Sequence, residues 1–189
     1  MSETPLRKLL DGTALKRTLE RIAHQIIEDS AGVDALALVG VVRKGDILAA
    51  RLKEIIDRVS GGDIPVGSLD ITLYRDDIDL MGSVPLVRAT SIPFDITGRT
   101  LVLVDDVLFT GRTTRAALDA LMDLGRPKAI RFAVLIDRGS RELPIQPDYT
   151  GLSAQINLDE RVKVELAEDG MADGVFVYHA ESGWVPGED

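Results

Sequence analysis

Apolar positions along the chain follow two rhythms. Leu15, Leu19, Ile22, Ala23, Ile26 and Ile27 recur three and four apart, which predicts a helix from Asp11 to Asp29 with Asp11 or Thr13 capping its start. Ala35 to Val42 (ALALVGVV) is a continuous apolar run, the pattern of a strand covered on both faces. Arg43-Lys44-Gly45-Asp46 interrupts it, and Ile47, Leu48, Leu52, Ile55, Ile56 and Val59 mark a second amphipathic helix that ends at Ser-Gly-Gly-Asp. PVGSLDITLY predicts a strand, Thr100 to Val104 another, Thr113 to Leu124 a helix stopped by Gly-Arg-Pro, and AIRFAVLID a further strand. Two late strands fall at Val162 to Leu166 and Gly174 to Tyr178. Between these elements, Arg75 to Pro93 is long and without period, which suits a lid or binding loop, and RGSRELPIQPDYTG reads as a Pro- and Gly-containing loop. Strands that alternate with helices predict an α/β architecture: a mainly parallel twisted sheet flanked by helices. Residues 1–180 are expected to form one domain, and residues 181–189 a weakly ordered tail.

Ligands of such sheets sit outside the carboxyl ends of the strands. Three polar clusters fall there: Arg43-Lys44-Gly45, Asp105-Asp106 with the turn after it, and Asp137-Arg138-Gly139. The second cluster carries the most chemistry. In LVLVDDVLFTGRTT, Thr110, Gly111, Arg112, Thr113 and Thr114 lie where a strand gives way to a helix. The first turn of a helix offers unpaired N–H groups at the positive end of its dipole, and Gly111 lets a ligand approach the backbone. That is a cradle for one phosphate, without the Lys of a Walker loop and without a Rossmann glycine fingerprint. Two carboxylates beside it would repel phosphate if aimed at it, and suit neutral hydroxyls or a divalent cation. The stretch therefore predicts a ribose 5-phosphate site, with phosphate on Thr110 to Thr114 and the sugar diol on Asp105 and Asp106.

Composition narrows the classes. The 189 residues suit one core-bearing domain, and 45% hydrophobic with 28% charged residues excludes a disordered chain. No cysteine occurs, which removes thiolate chemistry and fits a cytoplasmic protein. No secretory signal is expected from MSETPLRKLLDGT. A net charge of −9 disfavours general nucleic-acid binding, so any such role needs a local basic patch. Arg75-Asp76-Asp77 with Asp79 lacks the Gly and Glu of a calcium loop, and His24 and His179 are too few for a metal centre.

LVLVDDVLFTGRTT resembles the phosphoribosyl pyrophosphate (PRPP) motif of type I phosphoribosyltransferases. RIAHQIIE, LDITLYRDD and AVLIDRGSRELPIQPDYTG narrow the likeness to the PyrR family, over roughly residues 13 to 179. The resemblance implies a type I phosphoribosyltransferase fold with a small hood or lid. It implies the reaction of uracil with PRPP to give UMP and pyrophosphate, Mg²⁺ carried by PRPP with no direct protein metal site, and a homodimer or homotetramer. A UMP- or UTP-responsive control of pyrimidine genes through an mRNA leader is the second family role. The site residues carried over are Asp105, Asp106, Val107, Leu108, Phe109, Thr110, Gly111, Arg112, Thr113 and Thr114 for PRPP, with Arg43, Lys44 and Gly45 at the pyrophosphate. Arg75 and Arg88, in a lid spanning Arg75 to Thr90, join Asp105 and Asp106 as the catalytic set. Asp137, Arg138 and Ile156 are expected near the base. Lys16, Arg17, Arg21, His24 and Arg141 are the candidates for RNA contact.

The chain departs from that pattern in several places. Arg43-Lys44-Gly45 stands where the family has Thr-Arg-Gly, so a hydroxyl is lost, and Lys does not reproduce the fork of Arg. Ser140 replaces a His, Glu20 replaces a Thr on the first helix, and GLSAQIN replaces a segment with Lys and Pro near the base pocket. Two alternatives therefore stay open: a nucleotide-sensing RNA-binding regulator with weak catalysis, and a phosphoribosyltransferase for another base.

Overall fold

The computed structural model describes residues 4–30, 32–74 and 89–180. In chain order the elements are β1 (Arg7–Asp11), α1 (Gly12–Asp29), β2 (Leu36–Val41), α2 (Gly45–Ser60), β3 (Val66–Leu69), a 3-10 turn (Thr72–Tyr74), β4 (Thr100–Leu108), α3 (Arg112–Leu124), β5 (Ala129–Asp137), β6 (Tyr149–Ser153), β7 (Glu160–Glu165), a 3-10 turn (Ala167–Asp169) and β8 (Gly174–His179).

Five parallel strands in the order β3-β2-β4-β5-β6 make the body. All six residues of β2 are buried, as its unbroken apolar run requires of a strand covered on both faces. Strand β4 divides its side chains by the two-residue period. Val102 and Val104 join the core shared with α1 and α2, while Leu101 and Leu103 join the core shared with α3. The stripes foreseen on the helices do the burying. Leu15, Leu19, Ile22, Ala23 and Ile26 of α1 are inside, as are Leu48, Leu52, Ile55 and Ile56 of α2, whereas Val59 at the end of α2 is 46% exposed. Asp11 caps α1, its Oδ1 accepting the Ala14 N–H at 2.8 Å.

A second, antiparallel sheet of order β1-β8-β7 forms the hood. It joins a strand near the start of the chain to two near its end. Its inner face, with Leu10, Val162, Val164, Val175 and Val177, packs into the same core as α1 and α2.

Four expectations need correction. β4 runs nine residues, through both aspartates, because β5 pairs with it as far as Leu108↔Asp137. β3 keeps only Val66–Leu69 of the longer run and then tightens into a 3-10 turn. β1 was not foreseen, since RKLLD buries one residue and finds its partner β8 at the far end of the chain. β6 falls where the sequence predicts a loop, because Thr, Gly and Ser dilute YTGLS, yet the glycine is what the strand needs. A Cβ on Gly151 would stand 2.3 Å from the Leu135 carbonyl oxygen and 2.8 Å from Thr18 of α1. The residues from Arg75 to Arg88, expected to be most of the lid, and the tail 181–189 lie outside the described residues. Among the described residues no helix is long and apolar enough to cross a membrane.

Candidate functional site

A cavity of about 440 Å³ opens at the carboxyl edge of the parallel sheet. Four stretches of chain wall it, joined by Arg138 and Asp169: the loop 41–44, β4 and the turn after it from 105 to 114, Ile71 and Thr72 after β3, and Val162 to Val164 of the hood.

The loop between β2 and α2 is pressed against the sheet by glycines. A Cβ on Gly40 would lie 2.3 Å from the backbone of Asp46 and Gly45, and one on Gly45 would lie 2.4 Å from the Val104 carbonyl oxygen. Both contacts are with backbone, so neither position accepts a side chain without moving the loop. The Val42–Arg43 peptide is cis, and Lys44 takes φ 74°. Arg43 is exposed and the Lys44 side chain is 23% exposed, and both line the cavity.

Asp105 and Asp106 enter the cavity from within β4 rather than from beyond its end. Asp105 is 5% exposed and Asp106 is half-buried. The Asp106 N–H donates to Asp105 Oδ1 at 2.9 Å, and the Val107 N–H donates to Asp106 Oδ1 at 2.9 Å. Each carboxylate is thus oriented by the backbone of the residue after it. Burial pushes the Asp105 carboxyl well above the ordinary carboxylate range, and the neighbouring Asp106 charge adds to that.

The turn after β4 has the shape its residues suggest. Gly111 sits at φ 94° as the N-cap of α3 and has no side chain to cap the helix, while the Arg112 N–H donates to Thr110 Oγ1 at 3.3 Å. No acidic residue occupies the first turn of α3. The Thr110 carbonyl accepts from the Glu142 and Leu143 N–H groups, both at 3.0 Å, and Arg112 Nε lies 2.7 Å from Glu142 Oε2. The loop after β5 therefore braces the turn from outside, and Arg112 points to that brace. Thr114 is 2% exposed, and its Oγ1 lines the cavity without a hydrogen-bond partner among the described residues. A buried hydroxyl without a partner costs stability, so its presence marks a place where a ligand oxygen would satisfy it.

Arg138 is buried and reaches the cavity. Its guanidinium carbon lies 3.9 Å from the centre of the Phe109 ring, and its Nη2 donates to the Asn157 carbonyl at 3.0 Å. Asp137 turns away, holding Gly139 N–H at 3.0 Å and Arg141 at 2.7 Å through the same oxygen. Ile156 is buried in the core shared with α1 and is not part of the cavity wall. Arg141 is spent on three carbonyls, those of Ile145, Phe109 and Gly139. Arg21 donates to the carbonyls of Thr150 and Gly151, fastening α1 to β6. Lys16, Arg17 and His24 lie exposed on α1. Arg75 and Arg88 fall outside the described residues.

Sequence reasoning missed Val162 to Val164, Ile71, Thr72 and Asp169 as cavity residues. Ile71 and Thr72 follow a strand end, so the rule that ligands gather at carboxyl ends could have found them. The run Val162 to Leu166 marks β7 as a strand, but nothing local places it or Asp169 at the site, because the hood reaches the site only through the packing of both ends of the chain.

Residues 6–168 match the phosphoribosyl transferase domain family. A curated relative from Roseiflexus sp., named bifunctional protein PyrR, is 55% identical over 90% of this chain and 94% of its own length. Another of the same name from Acetivibrio thermocellus is 54% identical over 87% of this chain and 90% of its own. Among solved structures, a hypoxanthine-guanine phosphoribosyltransferase from Bacillus anthracis superposes with a TM-score of 0.71 at 20% identity, over 93% of this chain and 99% of that one, a likeness of fold. The chain belongs to the phosphoribosyl transferase domain family and, within it, to the PyrR family.

Proposed function

We propose that this member of the PyrR family transfers ribose 5-phosphate from PRPP to uracil, giving UMP and pyrophosphate. The observation that carries the reading is the meeting, in one cavity, of the two β4 carboxylates, the start of α3 with a Thr114 hydroxyl that has no partner among the described residues, and the Lys44 loop.

In this reading the 5-phosphate sits on the turn from Thr110 to Thr114, where helix N–H groups and hydroxyls donate to it. The ribose diol donates to Asp105 and Asp106. The diphosphate extends toward Arg43, Lys44 and Gly45. The bond from the anomeric carbon to pyrophosphate breaks, its electron pair leaving with pyrophosphate, as the bond to uracil N1 forms, and the N1 proton passes to the departing pyrophosphate. Positive charge develops on the sugar as the leaving group departs, so no protein nucleophile is needed. Lys44 draws off the negative charge of the leaving group, and the nearby carboxylates favour a cationic sugar. Mg²⁺ would enter the cavity carried by PRPP, and there it would screen the charge of the diphosphate. Arg75 and Arg88, with the lid, complete the proposed catalytic set and exclude water.

Uracil would lie between Arg138 and the hood. β7 is the edge strand of its sheet, so alternate residues turn N–H and C=O away from β8. Val162 to Val164 bring that edge to the cavity, where such groups can pair with an in-plane amide and carbonyl. Incubation with PRPP, Mg²⁺ and uracil, with other bases in parallel, tests this directly. UMP formation that exceeds product from every other base is expected, and a preference for another base would reassign the pocket.

The curated relatives are named bifunctional. To the second role we assign nucleotide-dependent mRNA binding, with Lys16, Arg17 and His24 on the exposed face of α1. Arg21 and Arg141 would have to leave their carbonyl partners to take part. UMP or UTP in the cavity shifts RNA affinity only if the two states bind nucleotide differently. An RNA titration against salt, with and without UMP, reads that coupling. A cytoplasmic homodimer or homotetramer completes the reading.

A further inference from the structure

One carboxylate in the cavity has no part in the reaction described above. Asp169 ends the 3-10 turn after β7, and its Oδ2 accepts a hydrogen bond from Lys44 Nζ. The pair links the hood to the loop after β2 across 125 positions of sequence, and both residues line the cavity.

The turn that presents Asp169 is held from three sides. Its N–H donates to the Leu166 carbonyl at 3.0 Å, and the Ala167 N–H donates to Asp173 Oδ1 at 2.9 Å. Arg51 of α2 grips Glu168 through Nε at 2.8 Å and Asp173 through Nη1 and Nη2 at 2.7 and 2.8 Å. Such a fork fixes geometry as well as charge. Gly170, at φ 79°, lets the chain reverse directly after Asp169. The carboxylate is therefore set over Lys44 by a braced frame.

Lys44 is the cation that the transferase reading gives to the diphosphate, and the inference rests on that reading. A diphosphate and Asp169 carry the same sign of charge and would meet at the same ammonium group. We infer that Asp169 is an internal competitor for Lys44: it holds the cationic end of the cavity, and a diphosphate binds by displacing it. A nucleoside monophosphate has no diphosphate to seat there and leaves the pair intact. Asp169 thus weakens PRPP and pyrophosphate relative to UMP, and it speeds pyrophosphate departure by returning to Lys44.

Calorimetric titration of the full chain with sodium pyrophosphate in EDTA, and separately with UMP, tests this. Asp169→Asn removes the charge at a partly exposed position, and a thermal melt checks that the fold survives. The variant is expected to bind pyrophosphate about fivefold tighter than the parent, with UMP affinity unchanged and with the gain shrinking at high salt. In a Lys44→Met background the gain from Asp169→Asn should fall well below fivefold, because the contested cation is gone. Equal or weaker pyrophosphate binding by Asp169→Asn, or absence of binding by both proteins, overturns the inference. Either result beside robust UMP formation by the parent sinks the inference alone, whereas a parent that makes no UMP condemns the transferase reading on its own terms.

Discussion

The two walls of the cavity are built in opposite ways. The wall at the parallel sheet comes from a single stretch, Asp105 to Thr114, in which strand, turn and helix start follow one another and each residue type states its use. The hood wall comes from β7 and the turn after it, which reach the site because β1, from near the start of the chain, and β8 hold them there. The first wall is fixed by close backbone approach and burial, through Gly40, Gly45 and the buried Asp105. The second shares the apolar core and adds a set of charged contacts from Arg51 and Lys44 to Glu168, Asp173 and Asp169. The sheet wall is thus set by packing, and the hood wall by packing together with ion pairs.

That contrast breaks most sharply at Asp106. Asp106→Asn should lower turnover about a hundredfold, roughly 2.7 kcal/mol of transition-state stabilisation, with little change in melting temperature. Single-turnover kinetics beside a thermal melt would check it, and unimpaired turnover would remove the sugar from this wall.

Next in size is Gly45→Ala. The added Cβ has a carbonyl oxygen at 2.4 Å, so a loss of about 2 kcal/mol in stability is expected together with weakened pyrophosphate binding. Urea unfolding measures it, and a neutral result would mean that the loop is not pressed on the sheet.

Unbolting the hood should cost less. Arg51→Ala is expected to lose about 1 kcal/mol, because the ion pairs are partly exposed. Arg51 holds the Asp173 and Glu168 carboxyls below their ordinary values, chiefly by its hydrogen bonds. Such groups add stability that is present above their unfolded pKa and lost as the pH falls through the folded one. The parent should therefore lose this contribution below about pH 4, and Arg51→Ala should flatten that part of its pH–stability profile. A profile as steep as the parent's would contradict the assignment.

The smallest effect sharpens the sheet wall. Thr114→Val removes a buried hydroxyl that has no partner among the described residues, so stability in the absence of ligand should hold or rise slightly. Phosphate-bearing ligands should bind about fivefold more weakly, which titration with UMP would show.

Asp105 has a related signature of the opposite sign. Its carboxyl is raised by burial, so ionising it opposes folding as the pH climbs from the unfolded value through the raised one. Asp105→Asn should melt higher than the parent at neutral pH while losing turnover, a trade expected where a site keeps a costly charge for its ligand.

The sequence by itself determined the body of this protein. Period and run length announced α1, α2, α3, β2, β4 and β5, because each buries its own stripe or run whatever lies far off in the chain. It also determined the turn from Thr110 to Thr114, since a helix start, a glycine and threonines act within a few residues of one another. It did not reveal β1 or β6, whose composition is dilute and whose partners are distant in sequence. It did not reveal that β4 continues past both aspartates, because strand length there is decided by pairing with β5. Only the tertiary structure set Val162 to Val164 and Asp169 across from the β4 carboxylates, and put Lys44 against Asp169. Contacts between residues more than fifty positions apart leave no local rhythm, and the packing of the hood on the shared core is what brings them to one cavity.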